Sequence, residues 1–338
     1  MPVKRNLPIA AWSDGDAVQG FVLLSRKERR QDRNGNAFLD LELTDASGSI
    51  AGKVWSDSPA LDSDVEAHQF IAVHGQVKDY RGQLQVSVQK CRRAVDADRE
   101  HGFDEALLVP TTQEDIGELY ERLETLLRER LSQPLLRRLA LETLDSHGSA
   151  LREHPAAKSI HHAYRGGLLE HVVSMAELAL AVGDRYPDLD RDVLLLGVLF
   201  HDLGKLLELG AMPANDYTRQ GRLVGHIVLG RDLLRERCAA IDGFPEDVRL
   251  HVEHLVLSHH GELEFGSPVM PMTAEAFALA FIDNLDSKLA QLRQAARTNG
   301  GLQYMRALGR FVLLPESPDE ELAGAGPSSG PEQTRLDL

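Results

Sequence analysis

The sequence predicts a multidomain α and β protein in which a five-stranded β-barrel precedes an all-α domain. Two features carry that prediction: short alternating apolar runs separated by turn residues up to Arg93, and apolar spacings of three and four after it. At 338 residues the chain can bury a separate core in each part.

The barrel strands are expected at 17–25, 37–44, 49–55, 69–77 and 83–89. Leu39, Leu41 and Leu43 alternate, as do Leu84, Val86 and Val88, so each strand has one buried face. Asn34-Gly35, Ala46-Ser47-Gly48 and the segment 79–82 supply the turns. The polar, Pro-containing stretch 57–68 falls between the third and fourth strands. A five-stranded Greek-key barrel carries its short helix or loop there, which favours an OB-fold over a sandwich.

Helices are expected at 113–130, 133–146, 167–184, 191–202, 222–240, 246–260 and 273–296, the first on Ile116, Leu119, Tyr120, Leu123, Leu126 and Leu127. From Pro315 onward the chain is rich in Gly, Pro, Ser and Glu and has too few large apolar residues to offset its ordering entropy. The expected division is therefore 14–95 barrel, 96–147 helical linker and hairpin, 148–315 α-helical domain and 316–338 disordered tail.

Composition removes several classes. Two cysteines, Cys91 and Cys238, far apart and outside any CxxC spacing, exclude a disulfide framework and a thiolate zinc site. No run of 18 apolar residues or signal-type h-region occurs, which predicts a cytoplasmic protein without membrane contact. Gly-rich nucleotide-binding loops are absent. The net charge of −15 weighs against a polyanion ligand, but residues 1–95 hold 13 Lys and Arg against 12 Asp and Glu, a net of +1 that leaves −16 for the remainder. Phosphates are therefore expected on the barrel.

The chemistry lies in the helical part. Val193 to Phe200 is uninterrupted apolar sequence, as in a helix buried all round, and it runs into His201-Asp202-Leu203-Gly204-Lys205. An isolated His-Asp pair reads as a structural hydrogen bond. Here His171, His226, His259, His260 and Asp283 also sit in apolar helical contexts, where an unpartnered polar group costs roughly 2–7 kcal/mol. Imidazole and carboxylate donors without thiolate suit a divalent metal, Mn, Co, Fe or Zn and less well Mg. Lys205, one turn beyond His201, is placed to meet a phosphate oxygen, and Tyr164 and Arg165 precede a Gly166-Gly167 turn that lets substrate approach.

His171, His201-Asp202 and Asp283 resemble the pattern of the HD superfamily of metal-dependent phosphohydrolases. That resemblance implies that these four hold a catalytic metal, with Asp202 able to bridge to a second. His226 and one or both of His259 and His260 match the extra ligands of binuclear members, giving one or two ions per site. A metal pair lowers the pKa of an attacking water and neutralises charge on phosphoryl oxygens, so the expected reaction is phosphoester hydrolysis, with Asp202 and Lys205 as the catalytic residues.

Residues 14–93 are similar to OB domains of the tRNA-anticodon-binding type through Asn34-Gly35-Asn36-Ala37-Phe38-Leu39, the turn at 44–48 and Lys53-Val54-Trp55. Over residues 14–312 the chain resembles the YhaM-type 3'-to-5' exoribonuclease family. The shared motifs are His161-His162-Ala163-Tyr164-Arg165-Gly166-Gly167-Leu168-Leu169-Glu170-His171, Ser258-His259-His260-Gly261, Glu264-Phe265-Gly266-Ser267-Pro268 and Ile282-Asp283-Asn284-Leu285-Asp286-Ser287-Lys288. This implies removal of nucleotides from the 3' end of single-stranded RNA, ahead of single-stranded DNA, with a divalent metal such as Mn. Arg33, Phe38, Lys53 and Trp55 then offer phosphate contacts and stacking surfaces. A cyclic (di)nucleotide phosphodiesterase or nucleotide phosphohydrolase would share the ligand order, although Gly-Glu-Leu-Glu follows His260 where the cyclic-dinucleotide group carries Gly-Tyr-Pro. A non-enzymatic single-strand-binding module is the third reading, and a homo-oligomer is compatible with the exposed helical hairpin.

Overall fold

The computed structural model describes residues 4–80, 82–157, 164–210, 212, 213, 215–296, 300–305 and 307–315. The expected tail, Arg81 and the His161-His162 pair lie outside them. Contacts divide the chain into two compact units, 1–283 and 284–338.

The first unit opens with a closed barrel. Its strands are β1 (Lys4–Arg5), β2 (Ala17–Gln31), β3 (Ala37–Asp45), β4 (Gly48–Val54), β5 (Gln69–Tyr80) and β6 (Gln83–Arg93). They run in the order β1-β2-β3-β4-β6-β5, and β2 pairs with β5 to close the sheet. The short β1 lies parallel to β2 outside the five-stranded ring. Val18, Val22 and Leu24, then Leu39, Leu41 and Leu43, then Ile71, Val73 and Val77 turn inward with Val86 and Val88 to form one core. Strands β2, β5 and β6 exceed their expected lengths because their polar ends find ladder partners on hairpin neighbours, β3 for β2 and each other for β5 and β6. Gly75 permits the close approach of β5 and β6: a Cβ there would lie 2.6 Å from the Ser87 carbonyl oxygen. The 57–68 stretch carries one 3-10 turn, Pro59–Asp62, whose Ala60 reaches the barrel core.

Residues 94–115 are pinned at both ends. Arg92 makes a bidentate pair with Asp98 at 2.7 Å, and the Ala46 amide donates to the Leu107 carbonyl at 3.0 Å. Towards the helices, the Thr112 amide donates to the Arg165 carbonyl at 3.0 Å and the Arg165 amide to the Pro110 carbonyl at 2.9 Å.

Helices follow as α1 (Ile116–Arg130), α2 (Pro134–Glu153), α3 (Gly167–Arg185), α4 (Arg191–Phe200), α5 (Lys205–Glu208), α6 (Arg219–Val224), α7 (His226–Ala239), α8 (Glu246–Ser258) and α9 (Ala274–Ala296). Two expectations are corrected. Helix α2 continues past 146 to Glu153, because Gly148 is a packing glycine rather than a stop: a Cβ there would lie 2.4 Å from the Tyr120 hydroxyl. The helix expected over 222–240 is broken at Gly225, whose φ of 79° belongs to the left-handed region that favours glycine. Helix α4 is the hub of the core: all its residues from Asp192 to Phe200 are buried, and Asp192 is satisfied by the Ser132 and Gln133 amides at 3.0 and 2.7 Å.

The second unit holds the end of α9 and an antiparallel hairpin, β7 (Gly301–Met305) with β8 (Arg310–Leu314). This departs from an all-α C-terminal part. The strands are five residues each, too short to stand out from the helical periodicity before them.

Candidate metal centre

Three helices and two turns bring the expected ligands together. Helix α3 carries His171, the turn after α4 carries His201 and Asp202, α7 begins at His226, α8 leads into His259 and His260, and α9 carries Asp283. His201 is 0% exposed, His259 1%, Asp202 2% and His171 3%, so these polar groups sit at interior depth.

The donors form two groups about one carboxylate. His171, His201 and Asp283 present ligand atoms within 4.8 Å of one another, and so do His226, His259 and His260. Asp202 lies between them: its Oδ2 is 3.4 Å from His201 Nε2 and 3.7 Å from His171 Nε2. Its Oδ1 is 3.6 Å from His226 Nε2 and 3.8 Å from His259 Nε2. His171 Nε2 is also 3.4 Å from Asp283 Oδ1.

Three imidazoles are turned by their other nitrogen. His201 Nδ1 lies 2.8 Å from the Val198 carbonyl oxygen, His259 Nδ1 2.7 Å from that of Val256 and His260 Nδ1 2.9 Å from that of Phe265. An Nδ1–H donated to these oxygens leaves the Nε2 lone pair directed inward, the orientation that metal-binding histidines take. Asp202 Oδ1, His226 Nε2 and His259 Nε2 are buried without a hydrogen-bond partner among the described residues. Three such atoms facing one another are costly unless a cation fills the space between them. The residues therefore fit a divalent metal in each group, with Asp202 shared. His259 and His260 both belong to the second group.

Protonation favours ligation. Burial pushes the His259 imidazole well below its usual value, helped by His201 and His260, and burial likewise lowers His260. Burial opposes ionisation of Asp202, but Lys205 and then His201 outweigh it and hold the carboxyl well below the usual range. Asp283 is also held down, its burial overcome by the hydrogen bond and charge of His171.

Around the ligands, Lys205 Nζ donates to Asp202 Oδ2 at 2.6 Å. Glu208, not anticipated from sequence, accepts from His226 through its backbone amide at 3.0 Å and lies 3.1 Å from its Nδ1, both on Oε1. Its position two helical turns after His201 was the available signal. Gly204 lets α7 pack close, since a Cβ there would lie 2.0 Å from the His226 carbonyl oxygen. Tyr164 donates its hydroxyl to Glu170 at 2.9 Å, and Arg165 makes a bidentate pair with Glu153.

On the barrel, Phe38 and Trp55 lie 5.4 Å apart between ring centroids at an interplanar angle of 32°. Lys53 Nζ sits 5.6 Å from the Phe38 centroid and 2.7 Å from Asp40. Three of the four expected barrel residues thus form one group, while Arg33 stands in the exposed turn between β2 and β3.

Residues 168–288 match the HD domain family, and residues 18–94 match the OB-fold nucleic acid binding domain family. Among solved structures, the second OB-fold domain of replication protein A from Methanococcus maripaludis aligns at 21% identity over 27% of this chain and 94% of that chain, with a TM-score of 0.23. The HD domain of the L. monocytogenes phosphodiesterase PgpH aligns at 17% identity over 50% of this chain and 76% of that chain, with a TM-score of 0.27. The chain thus carries an OB-fold barrel followed by a helical HD domain. Among the described residues no helix is long and apolar enough to cross a membrane.

Proposed function

We propose that this protein is a metal-dependent phosphodiesterase that shortens single-stranded RNA, and with lower preference single-stranded DNA, from the 3' end. The observation that carries the reading is Asp202, whose two oxygens each face a separate set of imidazoles and leave Oδ1 buried and unpartnered.

His171, His201, Asp202 and Asp283, and Asp202, His226, His259 and His260, would hold divalent ions that would supply Lewis acidity, a nucleophilic water at neutral pH and charge neutralisation on the phosphoryl group. The protein's own part is orientation and charge. Glu208 and the three backbone carbonyls fix the imidazoles, and Lys205 carries a cation into reach of a scissile phosphate oxygen. Tyr164 and Arg165 border the approach ahead of α3, while the Phe38–Trp55 pair stacks bases of the upstream strand and Lys53 meets its backbone. Manganese is the ion proposed for work at these mixed nitrogen and oxygen donors.

The test is incubation of Mn-loaded protein with 5'-labelled single-stranded RNA and, in parallel, with a cyclic dinucleotide, before and after chelation. A ladder shortening from the 3' end and lost on chelation is the expected result. Cleavage of the cyclic dinucleotide alone would replace this reading with a signalling phosphodiesterase, and inertness to both would leave a binding protein.

A further inference from the structure

The flank of the barrel away from Phe38 and Trp55 holds a cleft of about 960 Å³. Strand register builds its floor. Arg5 on β1 stands opposite Gln19 on β2, Gln19 opposite His74 on β5, and His74 opposite Lys90 on β6. Four polar side chains therefore form a row across four strands. Two residues further along, Phe21, Ala72 and Arg92 form a second row on the same outer face.

The second and third cations of this surface owe their direction to a β-bulge. Val86 and Val88 face the core, and simple alternation would turn Lys90 inward after them. The register shifts between His74 and Gly75, where β6 carries one extra residue, so Cys91 packs on the core and Lys90 and Arg92 turn outward. Bulges that re-aim side chains mark binding surfaces more often than plain strand does. The far wall is the segment around 98–102, held over the sheet by the Arg92–Asp98 pair and by Asn6 Nδ2 donating to the His101 carbonyl at 2.7 Å.

Arg5, His74 and Lys90 make no side-chain ion pair or hydrogen bond to any described residue, whereas Arg92 is committed to Asp98. Unpaired cations on a polar row, beside an apolar strip of Phe21, Ala72 and Pro59, match the two halves of a nucleotide. We propose that this cleft is a second nucleotide site, which takes phosphate on Arg5 and Lys90 and a base along the Phe21 strip. The ligand is a phosphate-bearing nucleotide unit, supplied as a free nucleoside monophosphate or as one residue of a bound strand. The inference is independent of the hydrolytic reading, because no metal-centre residue lines the cleft.

Calorimetric titration of the full chain in chelator, where hydrolysis is silent, tests it with adenosine 5'-monophosphate, an oligoadenylate strand and inorganic phosphate. The expected result is that Arg5→Glu combined with Lys90→Glu weakens adenosine monophosphate by at least about tenfold, the scale of losing two charge-assisted contacts. If only the strand is weakened by the charge reversal, the nucleotide unit comes from polymer. Unchanged affinity for both nucleotide ligands, or inorganic phosphate binding as tightly as the nucleotide, would overturn the proposal. Both charged positions are exposed, and Arg5→Gln with Lys90→Gln serves as the milder pair if thermal melting shows that charge reversal unfolds the barrel.

Discussion

Asp202 is the residue on which the two donor groups depend, since no other carboxylate among the described residues faces both. Asp202→Ala should lower hydrolysis by at least about 10²–10³-fold and reduce bound metal, read by elemental analysis beside the rate. Circular dichroism should stay native-like, because the group removed is a buried charge; full activity in the variant would sink the mechanism. Glu208 acts one step out. Glu208→Gln keeps the shape but removes the charge that anchors His226, and a lost outer anchor costs about 10–100-fold in metal affinity or activity. The loss should recover at high metal concentration, which a merely misfolded protein would not do. The seven candidate ligands were legible in sequence because each is a polar residue in an apolar helical run, a pattern that local order displays. Glu208 was not, since its partner is fixed only when α5 meets α7. Sequence also placed Lys205 near the centre but could not reveal that its ammonium is held by Asp202 in this state.

Elements hold these residues through close contacts that only glycine allows. At Gly204 an added Cβ would meet the His226 carbonyl oxygen at 2.0 Å and the Gly230 amide nitrogen at 2.5 Å, and backbone cannot swing aside as a flexible side chain can. Gly204→Ala should therefore displace the start of α7 and cost about 1–3 kcal/mol or more. His226 moves with α7, so metal binding should fall towards the first group alone, His171, His201 and Asp283. Calorimetric metal titration would show this as a drop in stoichiometry, and unchanged stoichiometry would contradict it. The same physics explains which boundaries sequence missed. Gly148 lies in contact with Tyr120 and lets α2 run past 146, while Gly225, within the expected 222–240 helix, breaks it. A glycine's role depends on the distance to a neighbour, which spacing alone does not contain. Apolar alternation found the barrel strands but stopped short of their polar ends, which pairing with hairpin neighbours rather than propensity holds in the ladder.

At the scale of the whole molecule, acid should destabilise the chelated protein through its buried imidazoles. Burial pushes His154 below its usual value despite the nearby Pro155 and Leu209 carbonyls, and His259 further still. Above about pH 6.5 neither the folded nor the unfolded chain protonates these groups. Below it the unfolded chain takes up protons that the folded one refuses, so stability falls with pH by about 1.4 kcal/mol per unit for each histidine, until its folded value is reached. Urea unfolding at descending pH measures this, and a flat profile between pH 7.5 and 5.5 would refute it. A second whole-molecule expectation follows from division of labour between barrel and helices. The segment 94–115 is tied to the barrel through Asp98 and Leu107 and to the residues ahead of α3 through Arg165. If the Phe38–Trp55 pair grips the strand, Phe38→Ala with Trp55→Ala loses about 1–3 kcal/mol per stacked base. That loss belongs to binding, so KM for a polymer should rise at least about fivefold while kcat holds. A small chromogenic phosphodiester, too short to span both parts, should be hydrolysed at the wild-type rate. Equal loss on both substrates would place the aromatic pair in the fold of the barrel, because a strand-gripping surface touches only what is long enough to reach it.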